Sequence, residues 1–172
     1  MISKKMNDAI NEQIAAEFYS AHLYLGMSAY LASIDLPGFA SWMRVQYQEE
    51  TFHAEKFFDH LIERDGRALL KRLDAPPVEW DSARQVFEEA YKHEQKVTSL
   101  INNLVDIANE ERDHASYSFL QWYVDEQVEE EASVKAIIQQ LKLLGESKGG
   151  LFMMDRELGA RTFTPPAAAA GE

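Results

Sequence analysis

Four long stretches of this chain carry apolar residues at helical 3-4 spacing, and in each the stripe is broken by polar side chains near its middle. In the first, Ile10, Ile14, Glu17, Ala21, Tyr24, Ser28 and Leu31 share one face, with Glu17 and Tyr24 as the intrusions. The second reads Phe39, Trp42 or Met43, Gln46, Glu50, His53, Phe57 and Leu61; the third reads Phe87, Ala90, Glu94, Val97, Ile101, Leu104 and Ala108. The fourth reads Leu120, Tyr123, Gln127, Glu130, Val134, Ile137, Leu141 and Leu144. Stripes of this kind have nothing to bury against except each other, so the expected fold is all-α, a four-helix bundle.

Punctuation sets the order of the helices. They are expected over about residues 5–33, 37–65, 82–111 and from a break near Asp113 to Leu144, with Pro37, Gly66 and Gly145 marking limits. Ser82, three residues before Gln85, has capping-box spacing. Between the second and third helices, "RALLKRLDAPPVEWDS" is long enough to travel the bundle's length. That crossover makes helices two and three parallel, whereas the short links make one/two and three/four antiparallel. A short amphipathic piece, "KGGLFMMDRELGAR", follows, so the expected domain is residues 1–161, with a loose tail over 162–172.

Glu17, Glu50, Glu94 and Gln127 each lie about twelve residues inside their helix, about 18 Å from its start at 1.5 Å per residue. In a bundle of this topology such points meet at one level. Glu17, Glu50, His53, Glu94, Gln127 and Glu130 are therefore expected to share a small volume in a low-dielectric core. Four carboxylates there would repel one another, and each costs several kcal/mol to desolvate unless a cation neutralises it. Oxygen donors with one imidazole suit iron or manganese, and the absence of cysteine removes thiolate zinc sites and disulfides. Glu50 and His53 offer two ligands on one helical face, a glutamate such as Glu94 can bridge two ions, and the arrangement suggests two metals.

The stretches "NEQIAAEFYSAHLYL", "QYQEETFHAEKFF", "HEQKVTSLI" and "FLQWYVDEQVEEEAS" strongly resemble the ferritins, and among them the non-haem ferritins of bacteria and archaea. The resemblance runs from about residue 6 to residue 161 and implies an iron store with ferroxidase activity. Carried over, it makes Glu17, Glu50 and His53 ligands of a first iron, with Glu50 bridging. Glu94 and Glu130 hold a second iron with Gln127 close by, and Tyr24 lies near the site and can supply an electron. Glu49, Glu126 and Glu129 match a third iron position that shares Glu130. The implied reaction oxidises Fe(II) with O2 or H2O2 and stores ferric oxide-hydroxide inside a hollow homo-oligomeric shell, expected to have 24 subunits.

Thr51 stands where bacterioferritins place a haem methionine, so no haem is expected. The fourth helix carries Gln127 and Glu130 where di-iron oxidases typically repeat an ExxH pair, and this weakens the rival reading, a di-iron or di-manganese oxidase or peroxidase acting on another substrate. A formal charge of −12 argues against nucleic-acid partners. No stretch has the length and apolarity of a membrane span or the pattern of a secretory signal, so a cytoplasmic location is expected. His22, His60, His93 and His114 are expected at the surface or boundary, and Trp42 and Trp122 in the core.

Overall fold

The computed structural model describes residues 2–165. The expected tail therefore falls largely outside the described residues; within them, Phe163 rests against Phe52 with ring centroids 6.1 Å apart. Five helices form: α1 (Lys4–Ser33), α2 (Pro37–Glu63), α3 (Ala83–Glu110), α4 (His114–Leu144) and the short α5 (Lys148–Leu158). No strand occurs among the described residues, and no helix is long and apolar enough to cross a membrane.

Starts follow side-chain capping, since an oxygen just before a helix can satisfy its free N–H groups. Ser3, Ser82, Asp113 and Ser147 accept from Met6, Gln85, Ser116 and Gly150 backbone N–H groups. The expected capping box is present with a shift: the Gln85 side chain accepts from the N–H of Asp81, not of Ser82. The glycine stop expected at Gly145 is present, with Gly145 at φ 55° closing α4, whereas the first three long helices end without a glycine in that role. Asp35, Asp65 and Arg112 take the left-handed conformation, at φ of 61°, 57° and 55°. The next residue then donates back five positions: Leu36 to Leu31, Gly66 to Leu61, and Asp113 to Ala108. These contacts satisfy carbonyls that the ended helix leaves free. Gly66 thus follows the reversing residue, which an aspartate can be because its short side chain tolerates that backbone.

The crossover from α2 to α3 lies along α1. Asn7 accepts from the Arg67 N–H at 2.9 Å, and Asn11 accepts from the Leu69 N–H at 2.6 Å. Further along, Pro76 lies beside Gly26 and Trp80 packs on Tyr30 at 5.3 Å. The connection therefore spans α1 almost end to end, and α2 and α3 run parallel as the sequence implies.

Two apolar clusters fill the bundle. One joins the C-terminal half of α1 and α4 to the N-terminal half of α2 and α3, with Met27, Phe39, Phe87 and Ile137 among its members. The other joins the opposite halves through Ile10, Phe57, Leu104 and Leu120. The polar intrusions fall between them.

Helix α5 closes one end. Leu36 gives α2 no side-chain cap, and Asp155 of α5 supplies one, accepting from the N–H groups of Gly38 and Phe39 at 2.8 and 3.0 Å. A carboxylate at a helix N-terminus also meets the positive end of its dipole. The approach is so close that a Cβ on Gly38 would stand 1.6 Å from the Asp155 carbonyl oxygen. Asp155→Ala should cost about 1 kcal/mol through loss of the cap, and Gly38→Ala about 2 kcal/mol or more because α5 must move. Thermal unfolding of both variants checks the order; equal stability of Gly38→Ala and the parent protein would refute the close docking.

Candidate metal centre

The six side chains expected at mid-bundle are all buried, with 0 to 6 % of their surface exposed: Glu17, Glu50, His53, Glu94, Gln127 and Glu130. Each comes from the middle of its helix, where the apolar stripe points inward. Glu17, Glu50 and His53 can each place a ligand atom within 4.8 Å of the others, and so can His53, Glu126 and Glu130. Of the flanking carboxylates, Glu49 and Glu126 are half-buried, whereas Glu129 is exposed.

Hydrogen bonds hold one side of several carboxylates and leave the other free. Gln13 donates to Glu17 Oε1 at 2.9 Å, Tyr24 donates its hydroxyl proton to Glu94 Oε1, and Gln46 donates to Glu130 Oε2 at 2.7 Å. Glu17 Oε2, Glu94 Oε2 and both oxygens of Glu50 are buried without a donor. Orphaned buried oxygens are rare in folded proteins because each forfeits its hydration. Four of them on three electrostatically coupled carboxylates are a fit for a cation, and Glu50, with two free oxygens, is suited to touching two.

Protonation shows the same demand. Burial, followed by the charges of Glu94, Glu17 and Glu130, pushes Glu50 well above the usual carboxylate range. Burial and the Glu130 charge do the same to Glu94, and burial raises Glu17 to about 7. His53 goes the other way, lowered to about 4 by burial and by Lys56, so its imidazole is neutral and able to ligate. Its Nδ1 lies 3.6 Å from Glu50 Oε2, and its ring is walled by Trp122 at 5.4 Å and Tyr123 at 5.9 Å. Tyr24 is raised by burial and by Glu94, which keeps its hydroxyl a donor.

Gln127 reaches the right level, and its oxygen faces Thr98, whose hydroxyl lies 3.0 Å away and also 2.7 Å from Glu131. In the acidic run from Asp125 to Glu131, Gln127 and Glu130 are buried, Glu126 and Glu131 half-buried, and Asp125 and Glu129 exposed. His60 departs from expectation: it is buried, stacked flat on Phe119 at 3.8 Å, with Ser116 3.3 Å from its Nε2. The aromatic face of α4 provides that seat, which spacing on α2 could not reveal. His93 is half-buried and bonded to Ser20, whereas His22 and His114 are exposed. Trp42 is buried and Trp122 half-buried.

Sequence reasoning gave no role to Gln13, Gln46, Thr98 or Arg161. Gln13 and Gln46 precede Glu17 and Glu50 by one helical turn, a spacing that places them beside the cluster. Arg161 lies beyond α5 and donates to Gln46 and Glu49; only the docking of α5 reveals it.

A family model described as a ferritin-like domain matches residues 7–144. The bacterial non-heme ferritin of Bacteroides fragilis is 45% identical over 161 residues, covering 94% of this chain and 100% of that one. That of Staphylococcus saprophyticus is 40% identical over 163 residues, 95% of this chain and 98% of its own. Among solved structures, a closed form engineered from the Archaeoglobus fulgidus ferritin superposes with a TM-score of 0.94 at 54% identity, covering 95% of this chain and all of its own. The open-pore ferritin of the same archaeon gives 0.93 at 54%, covering 94% and 100%. With the family model spanning the four long helices and these relatives aligned over nearly their whole length, the chain belongs to the ferritin family.

Proposed function

We propose that this protein oxidises Fe(II) at the mid-bundle cluster and stores the product as ferric oxide-hydroxide inside a shell built from copies of itself. The observation that carries the reading is the set of buried carboxylate oxygens with no donor, on Glu17, Glu50 and Glu94. In this reading iron is the substrate. Glu17, Glu50 and His53 bind one Fe(II), Glu94 and Glu130 bind the second, and Glu50 bridges them. Each pair of Fe(II) gives up two electrons. These reduce O2 and two protons to H2O2, or H2O2 and two protons to two waters.

The protein's part is positioning. Gln13, Tyr24 and Gln46 fix one oxygen of Glu17, Glu94 and Glu130 and leave the remaining lone pairs for iron. Tyr24, bonded to Glu94, can also supply an electron. Gln127 contributes an amide where a second imidazole would hold iron more tightly, which favours passage over retention. Glu49, Glu126 and Glu129, with Glu130 shared, form the third position through which ferric ions move on. The shell is read as one of 24 subunits, in the cytoplasm and without haem; the non-heme ferritin relatives and the closed and open-pore ferritin structures support a haem-free, multi-subunit shell.

Replacing both Glu50 and His53 by Ala should slow the initial oxidation of Fe(II) in air by about two orders of magnitude, with helix content by circular dichroism unchanged. An unchanged initial rate would place the chemistry elsewhere. The metal-free protein carries a second signature. Carboxyls raised in the folded state bind protons more tightly than in the unfolded chain, so their contribution is complete below the unfolded value of 4.5 and is lost as pH rises through about 7. Chelator-treated protein should therefore melt at lower temperature as pH climbs across that window. Glu50→Gln should flatten the trend, and saturating Mn(II) should reverse it. A melting temperature that rises over the window equally in both proteins would contradict the buried-carboxylate account.

A further inference from the structure

Arg161 stands two residues past the Gly159 cap of α5 and reaches back to α2. One guanidinium nitrogen donates to Gln46 Oε1 and the other to Glu49 Oε2 at 2.6 Å, while the guanidinium carbon lies 4.6 Å from the Trp42 ring centroid. The pair is sheltered, with 27 % of the Arg161 side chain and 19 % of the Glu49 side chain exposed. Among the described residues, Arg161 is the one cationic side chain hydrogen-bonded to any of the candidate ligand carboxylates. Its reach extends past Glu49. Because it holds the oxygen of Gln46, the amide nitrogen of Gln46 is turned to Glu130, at 2.7 Å. A single guanidinium thus bears directly on Glu49 and, through Gln46, on Glu130, two of the four carboxylates assigned to the third iron position.

We propose that Arg161 is a resident counter-cation of the third metal position: it occupies the place of a metal ion while none is there and has to leave Glu49 before one can bind. The inference rests on the reading of Glu49, Glu126, Glu129 and Glu130 as that position. A planar fork that takes both acceptors is the side chain suited to the task, and the Trp42 face helps hold it in place. The neighbouring charges agree: Glu49 is raised to about 7, first by burial, with Arg161 opposing that rise and Glu130 and Glu126 adding to it. The consequence is an ordering of sites. Glu17, Glu50 and Glu94 have unpartnered oxygens and no cation to displace, whereas at Glu49 an incoming metal must first break the charge-assisted hydrogen bond from Arg161. The third position therefore fills last and holds its ion weakly, as a transfer station requires. Asp155, by docking α5 on α2, keeps Arg161 within reach.

The test uses the assembled, metal-free protein and Zn(II), which has no redox chemistry, titrated by calorimetry at pH 7. Arg161→Gln should tighten the third Zn(II) event per chain on the order of tenfold, the scale of a lost charge-assisted hydrogen bond, and leave the first two within about a factor of two. Arg161→Lys, which keeps the charge and loses the fork, should fall between the two proteins. Should Arg161→Gln fail to assemble, Arg161→Met preserves the contact with Trp42 and carries the same expectation. A third event of unchanged or lower affinity in the variants would overturn the role given to Arg161 while leaving the third position intact. Absence of any third event in both the parent and the variants would overturn the third position itself, and the proposal with it.

Discussion

The fold is organised around the burial of four carboxylates at one level of a helical bundle. Glu17, Glu50, Glu94 and Glu130 sit between two apolar clusters that each draw on all four long helices. Removing a carboxylate from water costs several kcal/mol, and neighbouring like charges add to the cost, so the level is tolerable only if protons or metal ions neutralise it. The rest of the architecture supplies the conditions for that. Helices of nearly equal length place a midpoint residue from each at the same height, and a crossover pinned along α1 by Asn7 and Asn11 sets the direction of α3. The large apolar side chains on either side offset the local cost and exclude water from the layer.

Around this level the polar residues form a graded set. Deepest are oxygens with no donor, on Glu17, Glu50 and Glu94. Next are Gln13, Tyr24 and Gln46, each fixing one carboxylate oxygen, and Tyr123, whose hydroxyl holds the His53 carbonyl at 2.8 Å. On one flank Glu126 and Glu49 lead outward to the exposed Glu129, with Arg161 bound at Glu49. Charge compensation passes along this path from protons or metal in the interior to a guanidinium near its edge. That gradation is what the proposed uptake, oxidation and onward transfer of iron would require.

Much of this was legible in the sequence because helical period and depth are local properties. The interrupted stripes located Glu17, Glu50, His53, Glu94, Gln127 and Glu130, and the structure buries all six. The crossover length gave the parallel pairing of α2 and α3. What escaped depends on tertiary contact or on tolerated exceptions. Arg161 becomes a neighbour of Glu49 only when Asp155 caps α2 and brings α5 down on Gly38. His60 is buried because Phe119 offers a face to stack on. The helix ends were legible to within two residues, with Gly145 closing α4 as expected, but the sequence did not reveal that Asp35, Asp65 and Arg112 adopt the conformation usually given to glycine.

The central claim is that the buried oxygens exist to hold iron. Crystals of the protein soaked anaerobically with Fe(II) and measured on both sides of the iron absorption edge test it most directly. The account predicts two anomalous peaks within the bundle, one among Glu17, Glu50 and His53 and one between Glu94 and Glu130, with Glu50 touching both. Peaks confined to exposed carboxylates, with Glu50 and Glu94 still without a cation, would contradict it.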